Sequence, residues 1–202
     1  MRQIDEGRAV QVRDACAIAS GEVRCRPRLV PRSNEASRDW LKAHLLDTKL
    51  IDAPQSAADV VALRAGLLQM HDLLDASHQQ SQSIEGEGRH AAGDYWHGIM
   101  HRREPDYDNA RYWFRRVGPH PLFKDLARCA TTILGWCADP ESRRWQQRLL
   151  KSNRWDPFSF VDFCETCSAD EDGPLGVAAR EIQWQEMRLL LRHTYRDAIG
   201  ND

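Results

Sequence analysis

Apolar residues recur along this chain at helical rather than strand spacing. From Asn34 onward Trp40, Leu41, His44 and Leu45 repeat at one turn of a helix, Pro54 interrupts, and a long periodic run follows from Ala57 to about Glu85. That run predicts the longest helix of the protein. Asp139-Pro140 and Asp156-Pro157 each set a capping carboxylate before a proline suited to a first helical turn, so each predicts a helix start. Gly118 followed by Pro119 and Pro121 closes one helix and opens the next. The stretch from about Gly176 to Ala198, periodic through Val177, Ile182, Trp184, Leu189, Leu191 and Tyr195, predicts a closing helix, with Ser168 to Gly173 as the loop before it. The expectation is an all-α, single-domain antiparallel helical array or orthogonal bundle of about seven or eight helices, with negligible sheet.

Residues 1–35 break this texture. Gly7, Gly21, Pro27 and Pro31 sit among scattered arginines, and only Ala9, Val10 and Val12 alternate. The segment reads as an extended or poorly ordered arm ahead of a helical domain over 36–202. A chain of 202 residues suits one domain.

Composition removes several classes of function. A formal net charge of −2 lacks the basic excess of nucleic-acid binders, and no run approaches the ~20 apolar residues of a membrane helix. Met1 to Ala9 is polar, without the apolar stretch of an export signal, so a cytoplasmic location is expected. Six cysteines without a repeating spacing read as reduced thiols. Cys164 and Cys167 form a CxxC, but neither a second pair for zinc nor the strand context of a redox dithiol accompanies them. GxGxxG, Walker, GxSxG and HExxH motifs are absent.

The densest segment is GDYWHGIMHRREPDYDNARYWFRRVGPHP, Gly93 to Pro121. Pro105 divides it into two helices meeting in a tight hairpin. The second helix, with Tyr107, Ala110, Trp113 or Phe114, Val117 and Pro121, resembles the second helix of a tetratricopeptide repeat, although no further copy follows at a ~34-residue period. The same block, read as YWHxxMHRREPDYxNAxYWFRRVGxHP, resembles an uncharacterised family of all-helical bacterial and fungal proteins. That likeness extends to His71–Glu85 and to WDPFSFVDFCE at 155–165, and implies an all-helical fold.

Candidate chemistry lies on two polar helix faces. In the run 57–85, the stripe carrying Val60, Leu63, Leu67 and Leu74 turns polar at His71, His78, Ser81 and Glu85. In the helix over 93–104, Tyr95, Trp96 and Ile99 share one side, while Asp94, His97, His101 and Glu104 share the other. The short connection Gly86 to Gly93 makes the two helices neighbours. If their polar faces meet, His71, His78, His97 and His101 converge with Glu85 and Glu104.

Imidazole with carboxylate suits a divalent metal, for which His78, His97, His101 and Glu104 are the expected ligands. The same four suit metal-free acid/base catalysis. The plain alternative is that the histidines satisfy one another, a carbonyl or water. Arg111 and Arg115, four apart, are candidates to hold an anionic group, with Tyr95 and Tyr112 as further pocket walls. A small polar ligand is therefore expected over a peptide, with self-association allowed. The competing reading is a tetratricopeptide-like interaction module without catalysis, in which the histidines would be dispersed over a convex surface.

Overall fold

The computed structural model describes residues 26–31, 39–151 and 154–201; most of the expected N-terminal arm lies outside them. Among the described residues there are nine α-helices: α1 (Asp39–Asp47), α2 (Ala57–Met70), α3 (Leu74–Gln82), α4 (Ala92–Arg103), α5 (Tyr107–Val117), α6 (Phe123–Trp136), α7 (Ser142–Leu149), α8 (Pro157–Cys167) and α9 (Pro174–Ile199). A 3₁₀ turn, Arg89–Ala91, precedes α4, and the only sheet among the described residues is a two-residue antiparallel pair, β1 (Leu150–Lys151) with β2 (Arg154–Trp155). The all-α expectation holds.

Local chemistry explains most boundaries. Ser56 caps α2 by accepting the Asp59 N–H, and Asp106 caps α5 by accepting the Asn109 N–H. Asp156 caps α8 with Pro157 in the first turn, and Gly118 ends α5 at φ 62°. Asp139-Pro140 behaves differently. Asp139 accepts the Glu141 N–H within a turn at 2.8 Å, and α7 begins only at Ser142.

The run 57–85 is not one helix. It breaks after Met70, where Asp72 takes φ 61° and the Leu73 N–H returns to the Leu68 carbonyl. This break raises the helix count above the expected seven or eight and passes the distinction of longest helix to the 26-residue α9. Leu68, Leu73 and Ala76 bury the corner in a small apolar cluster, and that burial stabilises the turn.

At the centre stands α4, with all twelve of its residues buried. Gly66 of α2 lets it approach closely: a Cβ there would lie 2.6 Å from Cε2 of Trp96 and 2.9 Å from Cδ1 of Leu191 on α9. Hydrogen bonds lock the same junction. Gln69 donates to the Trp96 carbonyl at 2.7 Å, Arg103 donates to the Gln69 carbonyl at 2.6 Å, and Trp96 donates to Thr194 at 3.4 Å. Further along α4, Arg102 forms a fully buried ion pair with Glu186 of α9, whose other oxygen accepts the Tyr95 hydroxyl at 3.0 Å. Each buried charge or hydroxyl so paired avoids a large desolvation penalty and fixes the register of α4 against α9.

Candidate metal centre

Three imidazoles converge where α3 packs on α4. His78 comes from α3, and His97 and His101 occupy successive turns of α4; one ligating nitrogen from each lies within 4.8 Å of the others. The break after Met70 makes this meeting possible, because it turns α3 away from the line of α2 and brings its own polar residues onto α4. The loop back to α4 is then held by carboxylates: buried Asp94 accepts the Gly86 N–H at 3.0 Å, and buried Asp59 accepts the Arg89 N–H at 3.0 Å.

His97 is the deepest of the three, 1% exposed, and neither of its ring nitrogens has a hydrogen-bond partner. Its ring stacks on Trp113 of α5 with centroids 3.7 Å apart, and on His101 at 4.9 Å. Burial, then the neighbouring His101 and His78, hold its pKa down at about 3. His101 is held down to about 4 by burial and by His78. Both are therefore neutral at physiological pH, with the lone pair that a metal requires.

A carboxylate stands beside the imidazoles. Glu104 lies 3.6 Å from Nδ1 of His101, and Asp106 lies 3.8 Å from the same atom. The Asn109 amide approaches Nε2 of His101 at 3.1 Å. Metal-bound histidines commonly turn one nitrogen to a carboxylate while the other ligates, an arrangement His101 reaches with Nδ1 towards Glu104 once the Asn109 amide swings off Nε2. Burial pushes the Glu104 pKa above the usual carboxylate range.

Of the residues singled out from sequence, His78, His97, His101 and Glu104 thus come together. His71 sits exposed at the end of α2 and is outside the group. Glu85 is engaged by Arg116 at 3.1 Å and by Gln82. Arg111 does not serve a ligand pocket: its guanidinium binds Asp162 at 2.8 Å, Glu165 at 2.7 Å and Asp108 at 3.1 Å, tying α5 to α8. Tyr95 is fully buried against Phe114, His120 and Phe123, its hydroxyl spent on Glu186. Tyr112 and Arg115 are exposed. The CxxC thiols, Cys164 and Cys167, are free and buried on α8, and burial pushes both to about 12, which removes their nucleophilicity near neutral pH.

Trp113 was legible only as a core residue, and its stacking against His97 depends on the hairpin. A second imidazole group also escaped the sequence reading. His120 lies 5.6 Å from His90 and 5.9 Å from His193, centroid to centroid. Nδ1 of His120 accepts the Leu122 N–H at 3.2 Å, which places the proton on Nε2 and leaves this neutral ring no lone pair for a metal. Its three histidines come from the 3₁₀ turn, the α5–α6 loop and α9, a separation that no local spacing could signal.

Comparison with protein-family models, curated proteins and solved structures returned no match. The chemistry of the site therefore carries the functional reading.

Proposed function

We propose that the protein holds a divalent transition metal on His78, His97 and His101 and uses it in metal-assisted chemistry on a small polar molecule. The observation that carries this reading is the convergence of three ligating nitrogens within 4.8 Å around a His97 whose nitrogens are buried without a partner. Buried polar groups are nearly always satisfied, so an orphaned imidazole among imidazoles points to a missing ligand. Imidazole favours zinc, copper, iron or nickel over magnesium or calcium.

Structural zinc sites are usually closed by four protein ligands, whereas catalytic ones use three and leave a position open for water or substrate. Three histidines fit the second pattern. A metal held so supplies Lewis-acid polarisation or an activated water. Around it, Glu104 orients the His101 ring and is the carboxylate available to take or return a proton. Trp113 fixes the plane of His97 and excludes water from that side.

An interaction module built on the tetratricopeptide-like hairpin would make no use of three converging imidazoles, two of them buried, so the metal reading is preferred. The test is elemental analysis of protein purified without chelator, followed by cobalt(II) reconstitution and visible absorption. The expected result is near-stoichiometric metal in the wild type, a d–d spectrum typical of low-coordinate nitrogen ligation, and loss of both in His97→Ala and His101→Ala. A wild-type protein that neither carries a metal nor takes up cobalt or zinc sets the proposal aside.

A further inference from the structure

A groove of about 910 Å³ opens between the α5–α6 loop, α6, strands β1 and β2 and the start of α8. Its volume falls within the ~300–1,000 Å³ of small-molecule clefts. Apolar side chains make most of its wall, among them Phe123, Leu150, Trp155 and Phe158, the last still 36% exposed. The metal reading assigns it no role.

The polar groups around the groove are almost all donors. Five cations line it, Arg115, Lys124, Arg128, Lys151 and Arg154, against the single carboxylate of Asp156. Asp156 is already saturated by Lys151 at 2.8 Å, by the Phe158 N–H at 3.1 Å and by the Ser159 hydroxyl at 2.8 Å. Arg128 is paired with Asp125. Arg115, Lys124 and Arg154 form no ion pair with any described residue. Trp155, 5% exposed, adds a buried indole N–H that meets no acceptor. In a chain with net charge −2, this local excess of cations and donors over apolar walls is complementary to an anionic head on an apolar body.

We infer that this groove binds a medium-chain carboxylate, with its acyl chain along Phe123, Leu150 and Phe158 and its carboxylate met by Arg115, Lys124 and Arg154. Each cation is exposed at the rim, so removing them leaves the core untouched.

The test is calorimetric titration of the full-length protein with decanoate and, separately, with decylammonium, which carries the same chain and the opposite charge. Decanoate is expected to bind once per chain, at least tenfold more tightly than decylammonium, and to weaken as salt rises. The triple variant Arg115→Glu, Lys124→Glu, Arg154→Glu, checked for folding by near-ultraviolet circular dichroism, is expected to reverse the preference. Equal binding of the two probes, no binding of decanoate, or unchanged decanoate affinity in a folded triple variant overturns the assignment. The wild-type comparison decides the question even if the triple variant fails to fold.

Discussion

Replacing His97 with leucine separates a residue kept for a ligand from one kept for stability. The side chain is 1% exposed and both its nitrogens lack partners. An unsatisfied buried donor or acceptor costs about 1–3 kcal/mol, and leucine is close to histidine in volume. Against this gain, leucine loses the ring stacking on Trp113, worth about 0.5–1.5 kcal/mol. The metal-free variant should therefore be more stable than the wild type by roughly 1–2 kcal/mol. At about 2–4 °C per kcal/mol for a chain of this size, Tm should rise by roughly 2–8 °C.

Zinc should reverse the order. At a hundredfold excess over Kd, a ligand that binds only the folded state adds about 2.7 kcal/mol, and only the wild type would receive it. Scanning calorimetry of both proteins, with chelator and with zinc, measures all four values. A variant less stable than the wild type in chelator, as when a well-satisfied core side chain is replaced, while zinc shifts both proteins alike, would refute the prediction.

Three further outcomes are expected. His120 is held down to about 3 by burial, His193 and His90, while an unfolded histidine titrates near 6.5; between these values the unfolded chain binds the extra proton, so stability falls as pH drops from about 6.5 towards 3, with a slope of up to about 1.4 kcal/mol per pH unit. Urea unfolding between pH 4 and 7 should show that slope reduced in His120→Asn, whose amide oxygen replaces Nδ1 as acceptor for the Leu122 N–H; identical slopes would count against it. Gly66→Ala improves helix propensity by about 1 kcal/mol yet places a methyl group 2.6 Å from Trp96 and 2.9 Å from Leu191, so a net loss of about 1–3 kcal/mol is expected by urea denaturation. Cys164 and Cys167, at about 12, are about 10⁻⁴ thiolate at pH 8 and should resist iodoacetamide in the native protein, with labelling by mass spectrometry only after unfolding.

Helix class, most boundaries and three of the four central site residues follow from local rules: 3.6-residue periodicity, the caps at Asp156 and Gly118, and the four-residue spacing that puts His97 and His101 on one face. These depend on neighbours in the chain, so they can be read from it. The break after Met70 could not be, because no proline or glycine marks it and burial of Leu68, Leu73 and Ala76 against one another decides it. That break aims His78 at α4 and leaves His71 behind.

Nor does the chain reveal which polar side chains are spent elsewhere. Arg111 looked free for a ligand until α8 brought Asp162 and Glu165 to it, and Tyr95 looked like a pocket wall until α9 brought Glu186. The groove beside α6 draws its cations from three separate segments. Composition and periodicity determined that this chain is helical and where its imidazoles lie along it; only packing between distant helices decided which of them meet, because pairing and burial are properties of contacts that sequence neighbours do not make.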